Sequence, residues 1–261
     1  MLTELDIKIL ARFDPVVFSR EYLHFYPYPS QEEILRSTSK RLALNCCRQY
    51  GKTSLAGIKA LWYAAYHPGS LVLIVAKAER QAQELLLKCR QMGLLVKEIS
   101  FSSESRTHLE LGNGARIISL PSSSGGIRGY SAPDIVICDE ASRVEDSVFI
   151  ALRPMLLSGG TMILLSTPYL RQGYYWEVWE NDPDWEKHRV DVYSHPGADA
   201  DFIAQEQRSL PAHHFKAEYM CEFIDNASLV FSQEALDALF TSGEPLFNQD
   251  VLTREVAPLD V

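Results

Sequence analysis

Three short stretches of this 261-residue sequence carry residue types that can act together on a phosphate. The first is Cys46-Cys47-Arg48-Gln49-Tyr50-Gly51-Lys52-Thr53-Ser54. A Gly-Lys-Thr run between a strand and a helix is the setting of a phosphate-binding loop, whose backbone N–H groups point at an anion. In that setting Lys52 reaches the β and γ phosphates of a nucleotide and the Thr53 hydroxyl ligates Mg²⁺. Arg48 to Ser54 is therefore the candidate ATP cradle, although Cys46 stands where the usual pattern has its first glycine. The competing reading is a tight turn with an exposed lysine. The second stretch is Ile135-Val136-Ile137-Cys138-Asp139-Glu140, an apolar run ending in two carboxylates. At the carboxyl edge of a parallel sheet, Asp139 would hold Mg²⁺ and Glu140 would polarise the attacking water. The bland alternative is an acidic cap on the following segment. The third is Leu164-Leu165-Ser166-Thr167-Pro168, where a strand-end hydroxyl would sense hydrolysis; a polar strand end before a proline is its ordinary explanation.

Two arginines and a glutamine complete the candidate set. Arg48 lies inside the loop, where a guanidinium would stabilise charge spreading over a transferring phosphoryl group. Arg128 precedes the Asp-Glu strand and reads as a sensor or as a contact to DNA or a neighbouring subunit. Each is otherwise a structural or surface arginine. Gln31 follows Tyr26 and Tyr28; its amide offers the donor and acceptor that an adenine edge needs, and its alternative is a solvent-facing residue at a helix start.

The elements that must position these residues alternate along the chain. Leu42 to Cys47 reads as a strand, Lys52 to Tyr66 as a helix ended by His67-Pro68-Gly69, and Leu71 to Ala76 as a strand apolar at every position. Such uniform apolarity marks a strand buried on both faces of a parallel sheet. Ala78 to Met92 carries a helical stripe, and Thr107 to Leu120 reads as a hairpin turning at Gly112-Asn113-Gly114. Ile135 to Cys138 and Thr161 to Ser166 are strands, and Val144 to Leu157 is a helix interrupted by Pro154. Ser30 reads as a helix N-cap. Alternation of this kind predicts an α/β fold with a mostly parallel sheet. Three parts are expected: a core over 1–168 that includes the segment bearing Gln31, a small lid or linker over 169–230, and a C-terminal tail over 231–261.

Bulk composition sets bounds. The net charge of −9 argues against bulk attraction to nucleic acid as the main binding mode, but leaves room for a local basic patch. Five cysteines without a CxxC pair point to reduced thiols in a cytosolic setting rather than disulfides or structural zinc. The acidic N-terminus is no signal peptide, and no apolar run approaches membrane-spanning length.

Taken in order, Arg-Gln-x-Gly-Lys-Thr at 48–53, Ile-Arg-Gly at 127–129, Asp-Glu-Ala at 139–141 and Ser-Thr-Pro at 166–168 resemble the large terminase subunit of tailed bacteriophages and prophages. The resemblance runs from about residue 26 to about residue 232. It implies a RecA-like P-loop ATPase of the additional-strand, catalytic-glutamate type with a small lid subdomain. It implies a ring of subunits in the host cytoplasm, driving double-stranded DNA into a procapsid with a portal and a small terminase subunit. By the same resemblance Glu140 is catalytic, Arg48 serves near the γ-phosphate, Thr167 belongs to a coupling motif and Gln31 to the adenine site. Family members usually continue into an RNase H-like nuclease. This sequence stops shortly after Val230-Phe231-Ser232, and its Asp237, Asp250 and Asp260 have no strand to carry a two-metal cluster, so DNA cleavage is not expected of it. A helicase-like DNA-dependent ATPase, or another P-loop NTPase, is the alternative.

Overall fold

The computed structural model describes residues 3–121, 127 and 129–225; Arg128 and the tail over 231–261 lie outside the described residues. Two helices, α1 (Glu4–Phe13) and α2 (Pro15–Leu23), precede α3 (Pro29–Arg36) and the first strand, β1 (Arg41–Cys46). Then come α4 (Lys52–Tyr66), β2 (Leu71–Ala76), α5 (Glu79–Gly93), β3 (Phe101–Glu104), β4 (His108–Leu111), β5 (Arg116–Pro121) and β6 (Ile135–Asp139). The chain continues through α6 (Asp146–Leu152), β7 (Thr161–Ser166), α7 (Tyr174–Asn181), β8 (Glu186–Val190), α8 (Ala200–Ser209) and α9 (Ala212–Glu218). Among the described residues no helix is long and apolar enough to cross a membrane.

The eight strands form one sheet in the order β3-β4-β5-β2-β6-β7-β1-β8. All pairings from β5 to β8 are parallel, and the β3–β4–β5 edge is antiparallel, with the expected hairpin as β4–β5. The expected α/β architecture is thus present. So is its additional strand, because β7 lies between β1 and β6. Uniformly apolar strands follow from two-sided burial. On β2, Val72, Ile74 and Ala76 pack with α4 and α5, whereas Leu71, Leu73 and Val75 pack with α6 and α7 on the other face. Burying each such side chain contributes roughly 1.5–3 kcal/mol relative to exposure.

Local departures from the sequence expectation have local causes. Helix α3 starts at Pro29 with Tyr28 as its cap, not at Ser30, because proline at the first helical position fixes φ in advance. The Gln31 side chain accepts the Tyr28 N–H at 3.0 Å, supplying the side-chain half of a capping box. The helix expected over Val144 to Leu157 with a break at Pro154 is found as α6 followed by a 3₁₀ stretch, Arg153–Ser158, that begins where Pro154 removes a donor. Beyond Pro168, in the stretch set apart as a lid, Glu186–Val190 becomes β8 and pairs in parallel with β1 along its length. That first part of the segment is continuous with the sheet.

A buried cation braces α4 against α3. Lys59 of α4 donates to the carbonyls of Ile34, Leu35 and Ser37 at 3.1, 3.3 and 2.7 Å, closing the C-terminal end of α3. A cation there also meets the negative end of the helix dipole.

All five cysteines are free and buried. Burial pushes the Cys46 and Cys89 thiols up to about 12 and Cys47 to about 11, from an ordinary value near 9, and raises Cys138 and Cys221 further. The folded chain therefore keeps protons that the unfolded chain releases. This contribution is complete below about pH 8.5 and is lost as pH rises through the folded values, at about 1.4 kcal/mol per thiol per pH unit. Lys59 acts in the opposite sense: burial lowers it from 10.5 to about 8, so between those values its deprotonation favours the fold. Five thiols outweigh one amine. Denaturant midpoints measured from pH 8 to pH 11 should fall steadily above pH 9, and a rising profile would contradict the burial of the thiols.

Candidate active site

The parallel sheet brings the carboxyl ends of β1, β7 and β6 side by side, and the candidate residues sit on the loops that leave them. A cleft of about 690 Å³ opens there. Arg48, Gln49, Gly51, Lys52, Thr53 and Ser54 line one wall; Glu140 and Thr167 line it from β6 and β7. The lysine and the carboxylate thus share one cleft, as the chemistry requires.

The loop after β1 is shaped by backbone exceptions. Gln49 and Gly51 have φ of +61° and +93°. At Gly51 a side chain would be strained by φ and crowded too, since its Cβ would come 3.3 Å from Gln31 Nε2. Helix α4 begins immediately afterwards, with Gly51 as its N-cap, so the free N–H groups of its first turn face the cleft end of the loop. The Lys52 ammonium is buried and curls back to donate to the carbonyls of Cys46 and Cys47 at 2.7 and 2.9 Å.

Gln31 and Tyr50 do not reach the cleft. The Gln31 amide, 3% exposed, donates to the Tyr50 carbonyl at 2.7 Å while its oxygen accepts from Tyr28. In this geometry it holds the loop instead of facing a base, because both ends of the amide are committed to backbone. The Tyr50 ring turns into the core, where its hydroxyl pairs with Ser30 Oγ at 2.8 Å. His195 closes over the same corner, edge-on to Tyr28 and Tyr50 at 5.8 and 5.6 Å. Its Nδ1 accepts the Gly197 N–H at 2.9 Å, which leaves the proton on Nε2, facing the Gln49 carbonyl at 3.5 Å.

Asp139 and Glu140 sit in different environments. Asp139 is 6% exposed, and its carboxylate lies 3.4 Å from the Thr53 hydroxyl that donates to it. Its other oxygen accepts the Glu140 N–H at 2.9 Å. Burial, followed by the Glu140 charge, pushes Asp139 up to about 6, against the opposing pull of that N–H, Lys52 and Thr53. Glu140 adopts φ +53°, which costs of order 1–3 kcal/mol for a non-glycine residue and turns its side chain into the cleft. A 3₁₀ turn, Ala141–Arg143, follows. From it, Ser142 Oγ donates to the Thr167 carbonyl at 2.9 Å and receives the Ser166 hydroxyl at 2.8 Å, tying the tip of β6 to the tip of β7.

Four further side chains line the cleft that the sequence reading did not single out: Gln81, Lys88, Arg143 and Glu218. Arg143 had a local signal, since three residues after Glu140 a single 3₁₀ turn returns to the same side. Glu218 had none, being 170 residues from its partner Arg48. Arg48, Lys52, Lys88 and Arg143 set four cations against the carboxylates of Glu140 and Glu218 on the lining, so the cleft favours anions although the whole chain carries −9. Arg128 lies outside the described residues.

Comparison with known proteins gives a consistent picture. The family described as "Terminase large subunit, T4likevirus-type, N-terminal" matches residues 44–238. The terminase large subunit of Thermus phage G20c is 25% identical over 250 residues, with 81% of this chain and 52% of that protein covered. The chain thus spans about half the length of the curated relatives it matches. Among solved structures, the large terminase ATPase domain of Thermus phage P74-26 superposes with a TM-score of 0.70 at 22% identity, covering 81% of this chain and 99% of that one. The large terminase of thermophilic bacteriophage D6E in complex with ADP gives 0.62 at 8% identity, over 75% of this chain and 53% of that one. These structural likenesses bear on the fold.

The raised Asp139 has a thermodynamic consequence. From 3.8 up to about 6 the folded chain holds a proton that the unfolded chain has lost. That stabilisation is complete below pH 3.8 and gone above pH 6, so at neutral pH the buried charge costs the empty protein on the order of 3 kcal/mol. Asp139→Asn should therefore raise the melting temperature at pH 7.5 in chelator by several degrees, equivalent to about 1–3 kcal/mol. The gain should shrink toward pH 4.5. A lower melting temperature at pH 7.5 would refute this account of the carboxylate.

Proposed function

The chain belongs to the terminase large subunit family, and from that premise we propose that it is the ATP-hydrolysing motor portion of a viral DNA-packaging machine. The observation that carries the reading is the single cleft shared by Lys52, Thr53, Glu140 and Thr167 at the ends of three neighbouring strands. The cation surplus of that cleft suits a polyphosphate. Family membership favours a packaging motor over the helicase-like alternative.

In this reading the N–H groups of the loop and of the first turn of α4 hold the phosphates. The Lys52 ammonium, folded here onto the Cys46 and Cys47 carbonyls, exchanges those neutral acceptors for phosphate oxygens. The Thr53 hydroxyl and the Asp139 carboxylate are hard oxygen donors within 3.4 Å of each other, a pair suited to Mg²⁺, and a cation there would relieve the desolvated charge on Asp139. Bound Mg²⁺ supplies charge neutralisation on the phosphate oxygens. Glu140 takes a proton from the attacking water as its oxygen bonds to the γ-phosphorus and the bond to the β-phosphate oxygen breaks. Arg48 neutralises charge developing on the transferring group. Gln31 acts by holding the Tyr50 carbonyl, and so the loop, rather than by reading the base. Thr167 stands at the strand end where a change in the phosphates reaches β7 through Ser142. Arg128 is kept as a candidate for action across subunits.

The wider assignment follows the family: subunits assembled as a ring at the portal of a procapsid, with a small terminase subunit, moving double-stranded DNA in the host cytoplasm. Of the stretch from 169 to 230, the part beyond β8 would serve as the lid whose position the nucleotide sets, because β8 itself is paired to β1.

Two substitutions test the cleft. Lys52→Ala should abolish nucleotide binding in calorimetry, because the phosphates lose their main counter-charge. Glu140→Ala should keep binding within a fewfold and slow steady-state ATP turnover by about 10²–10⁴-fold. Equal turnover in wild type and Glu140→Ala would remove Glu140 from the mechanism, and undiminished binding by Lys52→Ala would remove the loop.

A further inference from the structure

A carboxylate that no phosphate chemistry calls for sits at the mouth of the cleft. Glu218, 16% exposed at its side chain, accepts from Arg48 Nε at 3.0 Å through one oxygen, and its other oxygen lies 3.5 Å from Arg143 Nη2. One carboxylate thus bridges two guanidiniums. Arg143 is steadied from behind by the Tyr169 ring, 4.3 Å from its guanidinium carbon, and its backbone N–H closes the turn onto the Glu140 carbonyl at 2.9 Å. It therefore projects into the cleft from the turn that begins at the proposed catalytic residue.

The backbone bearing Glu218 is anchored independently of its side chain. Its carbonyl accepts the Arg48 N–H at 3.0 Å, and the next carbonyls, Tyr219, Met220 and Cys221, accept from Val192 N, Arg189 Nη2 and Asn45 Nδ2 at 2.8, 2.7 and 3.2 Å. Residues 218–221 are strapped across the ends of β1 and β8. The charge they present is a matter of side chain alone.

We propose that Arg143 binds the terminal phosphate of the nucleotide together with Arg48, and that Glu218 is the resident counter-ion which that phosphate displaces and which reclaims both arginines after hydrolysis. The proposal rests on the reading of the cleft as an ATP site. Glu218 meets one N–H group of each guanidinium, whereas a guanidinium carries five donors. A terminal phosphate brings more charge and three oxygens, and outcompetes a single carboxylate for forked donors. A diphosphate ends at the loop and leaves the arginines with Glu218. The clamp makes the cleft distinguish triphosphate from diphosphate, with Glu218 a positioning residue and Arg143 a specificity-determining one. The Glu218 carboxylate beside it also holds the Arg48 guanidinium above its ordinary value.

The test is calorimetric titration of the full chain with Mg²⁺ and either ADP or the non-hydrolysable β,γ-imido analogue of ATP. Arg143→Met should lower the analogue-to-ADP affinity ratio about tenfold while ADP affinity stays within twofold. Arg143→Lys, which keeps the charge but loses the fork, should recover only part of the ratio. Glu218→Gln, whose main-chain anchors persist, should tighten analogue binding about three- to tenfold and leave ADP within twofold. Melting curves confirm that each variant folds. A Glu218→Gln variant that binds the analogue more weakly than wild type would mean a mere strut, and equal losses for both nucleotides in Arg143→Met would remove Arg143 from the terminal phosphate; either result overturns the proposal. Wild type binding neither nucleotide would instead sink the ATP reading itself, and this proposal with it.

Discussion

The whole arrangement depends on one strand being where it is. Because β7 runs between β1 and β6, the Gly-Lys-Thr loop and the Asp-Glu pair emerge two strand spacings apart, about 9.5 Å. At two spacings the side chains meet across the gap, at 3.4 Å, while the space above β7 stays open as the cleft. Thr167, at the end of that intervening strand, forms part of its floor. Parallel order makes this possible, since it sends all three carboxyl ends to the same edge.

Several residues on that edge sit in strained or desolvated settings. Gln49 and Glu140 have positive φ without being glycine, Lys52 and Asp139 are charges with little water, and Asp139 is raised toward neutrality by its burial. Such local penalties persist only where surroundings over-determine the conformation. Here the surroundings can be named. Gln31 fastens the Tyr50 carbonyl, Lys59 closes the far end of the helix that carries Gln31, and Ser142 stitches β6 to β7. Each of these is a buried or half-buried polar contact between elements already packed by the apolar core. The core thus stabilises the strain, and the polar contacts direct it.

This division explains what could be read without coordinates. The central strands and α4 were legible because two-sided burial demands unbroken apolar runs and a buried helix demands a 3.6-residue stripe; Leu71 to Ala76 and Lys52 to Tyr66 match their observed limits. The convergence of Lys52, Thr53, Glu140 and Thr167 on one cleft was legible because their motifs fall at the ends of strands that the alternation places in one parallel sheet. Strand β8 was not, since Glu-Lys-His-Arg-Val at a sheet edge needs no apolar alternation and its partner β1 lies some 140 residues earlier. Strand β3, Phe-Ser-Ser-Glu, is largely exposed for the same reason. Gln31 was legible as important but not as to its partner, because an amide satisfies a backbone carbonyl as readily as a base edge. Glu218 became visible only when the chain returned it to Arg48.

The contacts that hold the loop also differ in what can move them. Gln31 with Tyr50 is a buried pairing of neutral groups, so a change of charge in the cleft exerts little force on it. The Ser142–Ser166 link is likewise neutral. The pairing of Arg48 with Glu218 is ionic and its guanidinium is two-thirds exposed, so its strength falls directly when a competing anion arrives. In the proposed motor, the nucleotide must loosen one connection while the others keep the site assembled. Of the supports around this loop, the ionic one is the kind that phosphate charge can release, and it leads away from the sheet through residues 218–221. The neutral ones lead into α3 and β7, where rigidity preserves the geometry of the cleft between turnovers.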